Sequence, residues 1–404
     1  MSDRRIELIV WTMALTTFAY VSLSISLSPL LTSIAATFGV SESTAGQLAT
    51  IQGVVGTISA LASAPWMNRF SRRTWLRAEL TLLCIGVALA ALAPSFAVMI
   101  IARVVTGIAA GALVANCFTV TGDVVRDPNR RGRAVGIVAS GTTIATMIGL
   151  PAVAWLNGLV GWRWAMACLL LPMGLALLGT NLLPGEPHRS SNGAGHGEAM
   201  ERRAVRRILR GDPAALVLIL VGGLVFVAYI GWVTYYSAYV ERDFSGGARL
   251  IGVLFLVGGV FELVGNFAAP AISHRVPVRW ITVVGAAGIA LALLGSGFAF
   301  RETAGLFAGI ALLHLATSFA YVGLNTLLLQ RPAAIRGTVM ALSSAAVGFG
   351  GAMGALIGGV VLSLTDDYES VFHALGALMA VGAVALFLAL RSSGDTDMEQ
   401  EVLQ

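Results

Sequence analysis

Twelve apolar runs, each about as long as a bilayer is thick, constrain this chain more than any other feature. They fall at roughly 7–37, 44–67, 75–94, 96–122, 134–157, 163–183, 213–241, 248–272, 279–299, 303–330, 337–364 and 369–390. A hydrocarbon core takes ~20 apolar residues per helix. The expectation is therefore an all-α polytopic membrane protein with twelve transmembrane helices. Composition agrees: 57% of the 404 residues are hydrophobic and 12% are charged, about half the charge of a soluble chain. That excludes a cytosolic enzyme, a secreted disulfide scaffold and a nucleic-acid-binding domain. The opening Met1-Ser2-Asp3-Arg4-Arg5 looks like the basic start of a signal peptide. The run behind it is too long for one, so it is read as an uncleaved first span. Cys84, Cys117 and Cys168 lie inside apolar runs and read as small buried hydrophobes rather than as disulfide or metal ligands.

The basic residues supply direction. All 26 are arginine, which points to a GC-rich bacterial genome. With the N-terminus assigned to the cytoplasm, 21 of them fall on the cytoplasmic side and 4 on the outer side, with Arg103 inside a span. That asymmetry predicts a bacterial inner-membrane protein with both termini cytoplasmic. The net charge of +5 is then a topology signal and calls for no nucleic-acid partner. One polar stretch, 184–212, separates an N-terminal six-helix bundle (1–183) from a C-terminal one (213–391), which a short tail, 392–404, follows. The basic part of that stretch, Glu201–Arg207, reads either as an amphipathic helix on the inner leaflet or as a solvated connector.

The two halves are related. A shift of 205 residues lays Arg131-Gly132 on Arg336-Gly337 and Gly149 on Gly354, within a segment of small residues and glycine. Parallel six-span repeats are the architecture of major facilitator transporters, with the transport path between the halves.

Specific motifs carry the resemblance further. The loop after span two reads Ala64-Pro65-Trp66-Met67-Asn68-Arg69-Phe70-Ser71-Arg72-Arg73 and resembles the major facilitator signature G-x-x-x-D-R-x-G-R-R. Arg69, Arg72 and Arg73 match it, while Ala64, Asn68 and Ser71 replace two glycines and the aspartate. The resemblance implies a cytoplasmic gate built from Asn68, Arg69, Arg72 and Arg73, with Asp123 at the end of span four. Arg103-Val104-Val105-Thr106-Gly107 is similar to the R-x-x-Q-G motif of drug/proton antiporters, with Thr106 in place of glutamine. Gly149-Leu150-Pro151 and Gly161-Trp162-Arg163 resemble the arabinose- and sugar-efflux-like branch of the drug/proton antiporter-1 group.

Ionisable groups at mid-bilayer cost at least ~2.5 kcal/mol each, so a functional role is the default expectation. Glu262, near the middle of span eight, is the leading proton carrier; the alternative is a static partner in a buried network. His314 in span ten lies at similar depth, where its ring can pair with Glu262 or switch near neutral pH. Arg103 in span four is the third coupling candidate: it holds an anionic substrate, repels a cation from a proton site, or serves packing. Thr317, Ser318, Tyr321 and Asn325 continue the face of His314 at helical spacing, a polar stripe that lipid would not tolerate. Tyr20 and Ser24 in span one, Tyr229, Trp232 and Tyr236 in span seven, and Asn266 one turn from Glu262 complete the expected substrate cavity. The tyrosines nearest the end of span seven fit an interfacial belt equally well. Glu79 and Asp123 read as gate or loop partners.

These features predict a secondary active transporter working by alternating access: proton-coupled efflux of a small amphipathic drug-like or sugar-like metabolite. The alternative is an uptake symporter or facilitator with the same fold. No cofactor or metal is expected, and with no lysine available for a Walker motif ATP-driven transport is excluded. The partners are a small-molecule substrate, protons and the lipid bilayer, and the chain is expected to be a monomer.

Overall fold

The computed structural model describes residues 3–63, 70–125, 127–184, 212–244, 246–296, 298 and 302–402, and contains no strand among them. Among these described residues fifteen α-helices follow in order: α1 Asp3–Ile25, α2 Leu27–Phe38, α3 Glu42–Ser63, α4 Arg72–Ala91, α5 Phe96–Val124, α6 Pro128–Ile144, α7 Leu150–Val160, α8 Trp162–Cys168 and α9 Leu170–Gly179. Then come α10 Pro213–Asp243, α11 Gly247–Ile272, α12 Val278–Leu294, α13 Thr303–Leu329, α14 Ala333–Thr365 and α15 Tyr368–Val402. Eleven described spans are long and apolar enough to cross a membrane. The ninth expected span is α12, an apolar helix of 17 residues, at the short end of what crosses a bilayer. Large apolar side chains stand outward, among them Leu92, Leu159 and Leu364 at 79–80% exposure. Water would not sustain so much exposed apolar surface; lipid does.

Prolines explain where the apolar runs break. The first run divides at Ser26 because Pro29 cannot donate to the Ile25 carbonyl and its ring crowds that oxygen. Pro172 divides the sixth run at Leu169 in the same way. In the fifth run Pro151 follows a π-helical turn, Ala145–Gly149, that joins α6 to α7. Such a turn widens the ladder where a proline removes a donor.

The chain packs as two compact units, Met1–Ser190 with Val233–Gly259, and Ser191–Trp232 with Val260–Gln404. One division falls inside the expected 184–212 connector; the others fall within α10 and α11. In the first unit α1 packs on α5, α6 and α9, and α5 on α3 and α4. In the second, α12 packs on α13 and α15. The 205-residue repeat reappears in this packing. Gly149 lies against Ser22 on α1 in the first unit, and Gly354 against Val227 on α10 in the second. Both residues of one pair are offset from the other by that same shift.

Candidate functional site

The centre of the second unit holds an acid–base pair. Glu262 sits mid-way along α11 and His314 mid-way along α13. Gly265 lets the helices close up: a methyl there would stand 3.2 Å from the Leu315 carbonyl oxygen and 2.6 Å from Ser318 Cβ. One turn away, Glu262 Oε2 lies 3.2 Å from His314 Nδ1. The Ser318 hydroxyl donates to the Glu262 carbonyl at 3.0 Å, tying the helices at the same level. His314 is fully buried and the Glu262 side chain keeps 19% exposure. The other imidazole nitrogen, Nε2, is buried with no hydrogen-bond partner, as is the Thr317 hydroxyl.

Aromatic rings from α10 close around the imidazole. Tyr229 and Trp232 stand edge-on to it, with ring centroids 5.6 and 5.9 Å away. Phe226 continues the row at the same three-residue spacing, touching Tyr229 and, at 5.5 Å, Tyr321. Five residues expected in a cavity or at a coupling site thus share one cluster: Tyr229, Trp232, Glu262, His314 and Ser318. Tyr321 joins its edge and is 41% exposed. Asn325 turns back to its own helix, donating to the Tyr321 carbonyl at 2.8 Å. Asn266 is half-buried one turn beyond Glu262. Tyr236 belongs with the first unit, packed on Tyr239 and Phe255. Phe226 escapes sequence reading because one more aromatic in an apolar run is silent until the i, i+3 row is seen.

Arg103 belongs to the first unit, on α5, and is 1% exposed. Its Nη1 donates to Gln52 Oε1 on α3 at 2.7 Å. The Gln52 amide reaches the Ser24 hydroxyl at 3.5 Å, and Ser24 donates to the Tyr20 carbonyl at 3.0 Å. Arg103 Nε and Nη2 are buried without partners. Gln52, the hub of this chain, goes unnoticed in the sequence, yet it is an amide at the middle of an apolar span. Glu79, expected as a gate or loop partner, is held by side chains of α4 and α5. It is 6% exposed, and its two oxygens accept from Trp75 Nε1 and Asn116 Nδ2, each at 3.0 Å.

At the helix ends, Arg72 and Asp123 form an ion pair at 3.7 Å. Arg73 donates to the Asn181 side chain at 3.1 Å, and Arg77 reaches Asn181 and Thr180. The arginines thus tie the start of α4 to the end of α5 and to the turn after α9. Asn68 and Arg69 lie outside the described residues. At the opposite ends, Ser28 and Ser237 are 2.8 Å apart and Thr32 donates to Glu241, two contacts that α2 and α10 make within the first unit.

Comparison with known proteins decides the family. The sequence model of the Major Facilitator Superfamily matches residues 12–332. The chain belongs to that superfamily. As a major facilitator it is a multi-pass membrane transporter of small molecules and not an enzyme. It is 25% identical over 391 residues to the uncharacterized MFS-type transporter YwfA of Bacillus subtilis, covering 95% of this chain and 92% of that one. It is 27% identical over 369 residues to the chloramphenicol resistance protein of Streptomyces lividans, covering 89% and 91%. The inner membrane transport protein YdhP of Escherichia coli (strain K12) is 24% identical over 368 residues, covering 91% and 92%. A bacterial homologue of the human lysosomal transporter Spinster, solved inward-facing and unoccupied, superposes with a TM-score of 0.76. It is 17% identical and matches over 97% of this chain and 98% of that one; at that identity the likeness establishes the fold. The facilitator architecture explains why arginines, glycines and a few buried polar groups carry the site. Small residues let the spans approach closely, and polar groups inside them are expensive unless paired.

Proposed function

We propose that this chain is a proton-coupled exporter: a small amphipathic molecule leaves as a proton enters, by alternating access. The Glu262–His314 pair carries this reading. A carboxyl and an imidazole 3.2 Å apart inside a membrane-spanning bundle are expensive to bury, and a static structural role needs neither to ionise. Together they hold an exchangeable proton, and the exposed edge of Glu262 is where it enters. Tyr229, Trp232 and Tyr321 supply flat apolar walls for an amphipathic substrate. The relatives named for chloramphenicol resistance and efflux favour export. The excess of arginine on one side favours both termini in the bacterial cytoplasm. The working unit is a monomer of two six-helix bundles, 1–183 and 213–391, joined by the 184–212 linker.

Everted membrane vesicles energised by respiration test this reading, with a panel of neutral aryl amphiphiles, chloramphenicol among them. Export predicts accumulation inside everted vesicles that a protonophore abolishes. Accumulation only in right-side-out vesicles, or indifference to the protonophore, would replace it with uptake or facilitated diffusion.

A further inference from the structure

We propose that His314 Nε2 contacts the transported molecule and that the proton on the Glu262–His314 pair sets its hydrogen-bonding sense, so that the exported substrate is an aryl amphiphile donating an O–H or N–H. This rests on the export reading above and adds the chemical class of the cargo.

Nδ1 and Glu262 Oε2 are 3.2 Å apart, so one proton lies between them in any protonation state that keeps the contact. A neutral imidazole carries one N–H. With one proton on the pair it sits at Nδ1, facing the carboxylate, and Nε2 presents a lone pair. When the second proton joins the Nδ1–Oε2 contact, as carboxylate with imidazolium or as an Oε2–H donating to Nδ1 of a neutral imidazole, Nε2 bears hydrogen; a proton held on Oε1 would leave it bare. Protonation at the Nδ1–Oε2 contact therefore turns Nε2 from acceptor to donor. Other elements add little that competes. Among the described residues, Tyr229 from α10 and Tyr321 on α13 are the further titratable groups of this cluster. α12 meets α13 through Gly285 and Gly288 against Ala316 and Ala320, which bring no charge.

Nε2 is buried and has no partner in this structure, a state that costs free energy and that a ligand group relieves. Tyr229 and Trp232 are the rings packed on the imidazole, so a ligand reaches Nε2 when one of them turns and offers its face to the ligand's own ring. An exporter must bind its cargo on the side where the pair has lost its second proton and release it where that proton returns. In the first condition Nε2 accepts. The cargo must then donate, and on protonation it meets a donor and is expelled.

The test uses the purified full chain in nanodiscs and matched probes: aryl carbinols with their O-methyl ethers, and anilides with their N-methyl counterparts. Binding is read by thermal shift at alkaline and acid pH. The donor member of each pair should bind about three- to tenfold more tightly at alkaline pH, the worth of one hydrogen bond, and lose that advantage at acid pH. His314→Phe, which keeps a ring, should erase the difference. If that variant does not fold, ¹⁵N NMR of histidine-labelled wild type answers independently. Nδ1 should carry the proton and Nε2 be bare at alkaline pH. Equal binding of donor and methylated probes at both pH values, or an Nε2 that stays protonated at alkaline pH, would overturn the proposal. Protonophore-sensitive export with equal probe binding would defeat this inference and leave the export reading standing. Discrimination without gradient-driven export would do the reverse.

Discussion

His314 Nδ1 and Glu262 Oε2 face each other at 3.2 Å, yet the imidazole is fully buried while the carboxyl keeps 19% of its surface open. The two members of the pair therefore have different access to water. On the proposed export reading, protons would reach the pair through Glu262, and His314 would pass the change inward to the rings of Tyr229 and Trp232.

Stability and coupling should separate at Glu262. Glutamine keeps the shape and a hydrogen-bonding oxygen for Nδ1, so Glu262→Gln should melt within a degree or two of wild type while losing proton coupling. Alanine strands the buried Nδ1, and Glu262→Ala should cost about 1–3 kcal/mol. Thermal denaturation alongside pH-driven flux distinguishes them; equal melting of both variants would deny the hydrogen bond any structural weight.

Gln52 is the sole hydrogen-bond partner found for the buried Arg103 guanidinium among the described residues. Gln52→Leu should destabilise the chain by about 1.5–3 kcal/mol, the range for hydrogen bonds to charged groups. Adding Arg103→Met should recover part of that loss, because removing both partners strands no charge. A double-mutant cycle on melting temperature measures the coupling, and strict additivity would contradict the contact.

Repeat-related glycines should not tolerate a methyl equally. At Gly354 the added carbon would stand 2.8 Å from Gly231 N and 2.9 Å from the Val227 carbonyl carbon, backbone atoms that cannot step aside. At Gly149 it meets the side chains of Ser22 and Phe18, and side chains can rotate. Gly354→Ala should cost about 1–3 kcal/mol and Gly149→Ala clearly less. Comparison of the two melting temperatures decides this, and the reverse order would refute it.

The Arg72–Asp123 pair is 3.7 Å long with 20% and 31% exposure, geometry worth at most about 1 kcal/mol. Asp123→Asn should leave the melting temperature nearly unchanged. Any large effect on transport would then reflect gating rather than folding, and a large fall in melting temperature would rule that out.

The all-helical membrane fold and the family were legible because hydropathy, a 205-residue repeat and an arginine-rich loop are linear signals. The breaks at Ser26 and Leu169 were not, since the runs stay apolar through Pro29 and Pro172 while the backbone loses a donor. His314 and Glu262 could be paired from depth alone, as intramembrane charges are scarce. Gln52 carries no charge that would single it out in an apolar span, although it holds the buried Arg103. Tyr236 shares a helix with Tyr229 and Trp232, but α10 passes from one packing unit to the other between Trp232 and Val233. A helical stripe records spacing and cannot register that change of neighbours.

The most direct test reconstitutes wild type and Glu262→Gln in proteoliposomes with a pH dye inside and records proton movement when a transported solute is added. The account predicts that solute flux drives an opposing proton flux in wild type. In Glu262→Gln, solute–solute exchange should persist while that proton flux disappears. Undiminished proton flux in Glu262→Gln would contradict it.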